Sequence, residues 1–271
     1  MLVNFTKMHS LGNDFIVLDL ISQPIRLQPS HIPRLADRHL GIGCDQVLLI
    51  EPPTTPNSDF FFRAFNHDGN EAEQCGNGIR CAARYVVDSG LVHKTSLLAD
   101  SLSGVIEINI KGRQLVEVNL GTPRSAIISH LVTPENLITF PTEITTIHAI
   151  SMGNPHGVCI VNDLANINVK NCGKQLCSLP CFPQQANISF VQIISPNEIK
   201  MAVYERGVGP TLACGSAACA AVAVANYLGN IGNQAKVNFK HGFVTVTIDA
   251  ITKNLHLLGS AISVCMGKFC T

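Results

Sequence analysis

The 271 residues carry 19 Lys plus Arg against 19 Asp plus Glu, so no net charge is available to neutralise a nucleic-acid backbone or hold an anionic membrane. Hydrophobic residues make up 46% and charged residues 14%, which is the composition of a folded chain rather than a disordered one. No stretch approaches the ~18 apolar residues of a membrane span, and the N-terminus has no apolar run after a basic start. The expectation is a cytoplasmic protein of about two domains, with neither nucleic acid nor membrane as partner.

Eleven cysteines are an odd number, and none is spaced as a CxxC pair, so a disulfide framework and a redox centre are both disfavoured. The closest cluster, Cys172, Cys177 and Cys181, lacks paired two-residue spacing and a nearby histidine and is not read as a zinc site. Most of these thiols are read as small buried hydrophobes.

Taken in chain order, the elements come out twice. Leu11-Gly12-Asn13-Asp14 reads as a turn, residues 47–50 as a strand, and Phe62-Arg63-Ala64-Phe65-Asn66 as a strand leading through a Gly-bounded turn to Cys75-Gly76-Asn77-Gly78. A helix follows over residues 79–87 and stops near Gly90; strands follow at 105–110 and 116–120. After a break near Gly121-Thr122-Pro123 the order recurs. Met152-Gly153-Asn154-Pro155 resembles the first turn, strands are expected at 158–161 and 188–194, and Met201-Ala202-Val203-Tyr204-Glu205 precedes Cys214-Gly215-Ser216-Ala217. A second helix over 217–228 stops at Gly229, before strands at 237–239, 243–248 and 263–265. From Asn13 to Cys75 is 62 residues and from Asn154 to Cys214 is 60, which makes the chain an internal repeat. The expected fold is α+β, with two pseudo-symmetric domains, each a mixed sheet or barrel around one main helix. The first would span 1–120 and the second 121–259, with the tail 260–271 packing back onto the first.

Both cysteines would then stand at helix N-termini, where unpaired N–H groups and the helix dipole lower a thiol pKa from about 8.5. The N–H groups of Gly76, Asn77, Gly215 and Ser216 can hold a carboxylate and stabilise the charge that develops when an adjacent α-proton leaves. With one thiol on each face of a carbon, one removes a proton and the other donates one. Inversion is the result, with no cofactor and no metal required.

These residues resemble the diaminopimelate epimerases, and the likeness covers nearly the whole chain. It is carried by Lys7-Met8-His9-Ser10-Leu11-Gly12-Asn13-Asp14-Phe15, Gly41-Ile42-Gly43-Cys44-Asp45-Gln46, Phe65-Asn66-His67-Asp68-Gly69 and Gln74-Cys75-Gly76-Asn77-Gly78-Ile79-Arg80-Cys81. Met152-Gly153-Asn154-Pro155-His156, Tyr204-Glu205-Arg206-Gly207 and Ala213-Cys214-Gly215-Ser216 carry it in the second half. The resemblance implies the diaminopimelate epimerase-like fold and the interconversion of LL- and meso-diaminopimelate. Cys75 and Cys214 become the pair of proton donor and acceptor, one on each face of the α-carbon, and Gly76, Asn77, Gly215 and Ser216 hold the reacting carboxylate. Asn13, Gln46, Asn66, Asn154, Asn187, Glu205 and Arg206 bind the remaining amino and carboxylate groups, with Arg206 suited to bidentate capture of the distal carboxylate. His156 and Glu205 tune the cysteine pKa values. The implied partner is a small amino-acid substrate, with a homodimer as the candidate assembly.

Three departures stand out: Pro210-Thr211 where the family usually has Glu-Thr, Ala217 for a Gly in the helix's first turn, and Gln185-Ala186-Asn187 for Arg-Val-Asn. A proline racemase-like enzyme is the alternative within the fold, but Arg206 and the asparagines suit a substrate with a second charged end. A thiol redox or metal-buffering protein is the alternative from another class.

Overall fold

The computed structural model describes residues 2–23, 25, 27–72, 75–131 and 144–270. Gln74, part of the first cysteine motif, lies outside the described residues. The chain divides into two compact units, Met1–Asn119 with Leu258–Thr271, and Leu120–Leu257.

In the first unit, β1 (Leu2–Ser10) and β2 (Asn13–Asp19) form a hairpin through Leu11 and Gly12, both at positive φ. β2 then runs parallel to β3 (Gln46–Glu51), and a parallel pair cannot be joined by a tight turn. The short helix α1 (Ile32–Ala36) lies in that crossover, packed with Ile16, Leu18, Val47 and Leu49. β3 pairs antiparallel with β4 (Phe60–Asn66), and β5 (Glu71–Ala72) lies against β4. A second crossover, α2 (Gly76–Asp88), leads to β6 (Ser96–Ser101), which is parallel to β4 and opens a meander with β7 (Gly104–Ile110) and β8 (Leu115–Asn119). The C-terminal strand Ile262–Cys270 pairs antiparallel with β1 along most of its length.

The second unit repeats that order. β9 (Ile128–Leu131) and β10 (Thr146–Ser151) pair antiparallel, and β10 turns through Gly153, at φ 104°, into β11 (Pro155–Ile160). β11 is parallel to β12 (Asn187–Ser195) across the helix α3 (Val169–Leu176), and β12 is antiparallel to β13 (Glu198–Glu205). β14 (Gly209–Thr211) lies against β13, α4 (Gly215–Tyr227) crosses over, and β15 (Gln234–Phe239) runs parallel to β13 and antiparallel to β16 (Gly242–Ile248). Each unit thus wraps strands around one central helix. α2 packs on β1, β2, β3, β4, β7, β8 and the C-terminal strand, and α4 on β10, β11, β12, β15 and β16. α4 is nearly all Ala, Val and Cys and is buried around most of its circumference, as a helix enclosed by strands must be.

The two long helices and the strands expected around them are present. β1, β2, β5, β6, β9, β10, β14, the strand Leu255–Ser260 and the crossover helices α1 and α3 are additional to the elements expected from sequence, and the strand expected at 263–265 extends over Ile262–Cys270. No helix among the described residues is long and apolar enough to cross a membrane.

Candidate active site

In the first unit, Cys75 is the N-cap of α2, and its Sγ accepts the Gly78 N–H at 3.1 Å. Its thiol donates to Gln46 Oε1 at 2.9 Å, while Gln46 Nε2 donates to Asn66 Oδ1 at 2.8 Å. Gln46 and Asn66 are direct cross-strand partners on β3 and β4, so sheet register delivers both amides to the thiol. Asn13 opens β2, and its Oδ1 accepts from Asn77 Nδ2 at 3.2 Å. The six residues predicted for this half, Asn13, Gln46, Asn66, Cys75, Gly76 and Asn77, therefore meet at the strand ends and the first turn of α2.

In the second unit, Cys214 is the N-cap of α4, with Ser216 Oγ 3.5 Å from its Sγ. Burial comes first in pushing the Cys214 thiol well above its ordinary pKa, and the Glu205 carboxylate pushes the same way; the Ser216 hydroxyl and the Ala217 N–H oppose them without prevailing. This corrects the expectation that capping a helix leaves both thiols acidified. A buried sulfur beside a carboxylate loses more to desolvation and like charge than a helix end returns.

Glu205 ends β13, and its carboxylate accepts from the Thr211 hydroxyl, presented by β14 across the hairpin. Thr211, the residue that the pair Pro210-Thr211 shares with the family's Glu-Thr, thus fixes the carboxylate that faces Cys214. Asn187 opens β12, is buried, and accepts the Arg206 N–H at 2.9 Å through Oδ1. Arg206 is exposed, with Nη1 donating to the Gln184 carbonyl at 3.1 Å. His156 is the register partner of Asn187, and its Nε2 lies 2.9 Å from Asn154 Oδ1. An amide oxygen only accepts, so Nε2 carries the proton. Burial, helped by the Arg206 charge, holds the imidazole down at about 3, so His156 is neutral at physiological pH. Of the two expected pKa modulators, Glu205 acts on Cys214 directly, whereas His156 orients Asn154.

The sequence reading passed over Asp45, Arg80, Ser10 and Thr211, which hold the named residues in place. A signal existed for Arg80 alone, as a cation among Ile79, Cys81, Ala82 and Ala83 on a helix that has to be enclosed. Most of the other cysteines behave as packing groups: burial pushes Cys44 and Cys81 up to about 12, and Cys172 and Cys177 sit in an apolar core with Ile147 and Phe190, whereas Cys265 and Cys270 are exposed. Among the described residues no three His, Cys, Asp or Glu side chains gather to hold a metal ion.

The fold sets the class. It is shared with a phenazine biosynthesis protein of the PhzF family from Bacillus anthracis, at a TM-score of 0.75 and 16% identity over 100% of both chains. It is also shared with a probable proline racemase from Agrobacterium radiobacter, at 0.72 and 13% over 99% of this chain and 93% of that one. Within that class the sequence is decisive. The model of the family "Diaminopimelate epimerase" matches residues 5–126 and 148–269, so both halves of the repeat are covered. The diaminopimelate epimerase of Teredinibacter turnerae is 41% identical over 273 residues, 99% of each chain, and that of Acinetobacter baylyi 45% over 250 residues, 89% of this chain and 88% of its own. The chain belongs to the diaminopimelate epimerase family.

Proposed function

We propose that the protein interconverts LL- and meso-2,6-diaminopimelate by moving a proton on and off one α-carbon with Cys75 and Cys214. The observation that carries this reading is the repetition of one device: in each of two topologically matched units, a cysteine caps the central helix. Inversion by two bases needs one group to remove the proton and another to supply it on the opposite face. Two thiols meet that need only if one starts charged and the other starts protonated. Burial and Glu205 keep the proton on Cys214, so the direction that starts from this form uses Cys75 as the base and Cys214 as the acid.

The N–H groups of Gly76 and Asn77, and of Gly215 and Ser216, open helices whose first-turn donors lack intrahelical acceptors. They bind the carboxylate next to the reacting carbon and stabilise the enolate-like charge as the proton leaves. General acid–base transfer alone contributes about 10²–10⁴-fold, so this electrostatic part carries much of the remaining barrier. Asn13, Gln46, Asn66, Asn154, Asn187, Glu205 and Arg206 take the remaining polar groups of the substrate, with Arg206 on the distal carboxylate. The reaction runs in the cytoplasm on a small molecule, with no added cofactor.

The test is turnover of LL-diaminopimelate in heavy water. The hydrogen on the product comes from the opposite thiol, which has equilibrated with solvent, so the first meso product carries deuterium while unreacted substrate stays largely protonated. Product that keeps its original hydrogen, or inversion by Cys75→Ala or Cys214→Ala at a near-normal rate, overturns the reading.

A further inference from the structure

A polar chain runs through the first unit from a carboxylate to a guanidinium. Asp45, held by Arg38 through Oδ1 at 2.8 Å, accepts from Asn13 Nδ2 through Oδ2 at 3.0 Å. Asn13 Oδ1 accepts from Asn77 Nδ2 at 3.2 Å, and Asn77 Oδ1 accepts from Arg80 Nη2 at 2.8 Å. The same guanidinium donates to Ser10 Oγ at 2.6 Å and, through Nη1, to the Gly76 carbonyl at 3.0 Å. Arg80 and Ser10 are wholly buried.

The chemistry at the two ends gives this chain a direction. A carboxylate only accepts hydrogen bonds and a guanidinium only donates them, whereas an amide does either according to which way it is turned. Asp45 requires the NH₂ of Asn13 on its side, which turns the Asn13 oxygen toward Asn77. Arg80 requires the Asn77 oxygen on its side, which turns the Asn77 NH₂ toward Asn13. The two requirements agree. Rotating either amide by half a turn would set oxygen against oxygen at one link and N–H against N–H at the next, and at the Asn77–Arg80 end the groups are buried away from water.

We propose that Asp45 and Arg80 are positioning residues that fix the orientation of the Asn13 and Asn77 amides, and with it the pattern of donors and acceptors these amides present to substrate. The proposal rests on the reading above that Asn13 and Asn77 contact substrate. Arg80 has a second effect, because its bond to the Gly76 carbonyl ties the guanidinium to the turn that Cys75 caps. The matched position of α4 is held by Cys219, so the device belongs to one half of the repeat only.

The experiment compares wild-type protein with Asp45→Asn, Asp45→Glu and Arg80→Lys. Asp45 is partly exposed, so its variants do not depend on refilling a core. Side-chain amide resonances of Asn13 and Asn77, assigned by ¹⁵N NMR, report orientation without reference to activity. Asp45→Asn replaces a group that can only accept with an amide that can accept or donate, so the direction is no longer imposed, and both amide pairs should shift and exchange faster with solvent. Asp45→Glu, which keeps an accept-only group, should move them less. With diaminopimelate as substrate, Asp45→Asn and Arg80→Lys should lower kcat on the order of 10- to 100-fold, with a smaller change in KM and a thermal midpoint close to wild type for Asp45→Asn. Unchanged amide signals in Asp45→Asn overturn the proposal, and so does a wild-type kcat in that variant. If the wild-type protein fails to turn over diaminopimelate, the functional reading falls, and the amide signals alone decide the positioning role.

Discussion

Gly78 offers a perturbation aimed at one sulfur atom. It is the third residue of α2, and a Cβ built on it would lie 2.7 Å from Cys75 Sγ, 3.0 Å from Leu48 Cδ2 and 3.3 Å from Cys75 Cβ. Ordinary contact begins near 3.4 Å, so the sulfur would have to withdraw by roughly 0.7 Å, the difference between 3.4 and 2.7. It is the easiest of the three to move, being the end of a side chain with one rotatable bond. Gly78→Ala should therefore trade opposing stability effects: about 0.5–1 kcal/mol gained from replacing a helical glycine, against about 1–3 kcal/mol lost to crowding. The net should stay within about 2 kcal/mol of wild type. Turnover should respond far more, because a shift approaching 1 Å in a reacting group costs on the order of 10²-fold. α4 makes the comparison sharp, since Ala217 already occupies the equivalent position there, three residues after Cys214. The assay is thermal unfolding alongside the rate of meso product formed from LL-diaminopimelate. A folded Gly78→Ala protein with wild-type kcat would show that the bond between Gly78 and the Cys75 sulfur does not set the working position of the thiol.

Three further outcomes follow from the geometry. Glu205→Gln removes the like charge beside Cys214, so its thiol should ionise at lower pH; alkylation of Cys214 by iodoacetamide, read by mass spectrometry against pH, should move its midpoint downward, and an unmoved midpoint would remove Glu205 from that role. Gly173→Ala would drive a Cβ to 2.3 Å from Tyr204 Cβ and 2.4 Å from its Cγ, where α3 lies on β13, and should cost about 1–3 kcal/mol or more in urea unfolding; a stability equal to wild type would show that α3 can lift off that strand freely. His156 is held at about 3 in the folded protein against about 6.5 in the unfolded chain. The unfolded state therefore binds a proton first, and stability is lost as pH falls from 6.5 toward 3, at up to about 1.4 kcal/mol per pH unit. His156→Asn should flatten that acid slope in urea titrations at pH 4, 5 and 6, and an identical slope would place the titration elsewhere.

What the sequence discloses here is whatever is local. The glycine turns before Asn13 and Asn154, the cysteine caps and the helices behind them depend on a few adjacent residues, and the repetition of that group at matched spacing exposes the two-unit plan. The strand Leu2–Ser10 was also open to reading, since its burial alternates from Thr6 through Met8 to Ser10, but its neighbour was not. That neighbour, Ile262–Cys270, buries little and comes from the far end of the chain, so neither periodicity nor adjacency marks it. α1 and α3 are too short for a 3.6-residue period to show, and their existence follows only from the need to cross between parallel strands. The polar contacts behind the site are long-range in the same way, with Asn13 and Asp45 separated by 32 positions and Asn13 and Asn77 by 64. The raised pKa of Cys214 belongs to this group too, because it depends on burial and on a carboxylate delivered by the β13–β14 pairing.

The repeat poses a chemical difficulty that its own substitutions resolve. Two identical capping thiols in identical surroundings would carry the same charge, and a pair of thiols or a pair of thiolates cannot both take up and deliver a proton. The surroundings must differ, and they do so nine residues before each cysteine, where the first unit has Asn66 and the second has Glu205. Asn66 joins a neutral amide network with Gln46 beside Cys75; Glu205 brings a negative charge to Cys214 and is held there by Thr211. Five residues after each cysteine the contrast runs the other way, with a buried cation at Arg80 and a neutral thiol at Cys219. The anion beside Cys214 favours a proton on that sulfur, whereas the polar side chains beside Cys75 are neutral amides. The backbone repeat supplies two equivalent positions, and a few side chains give them different electrostatic surroundings.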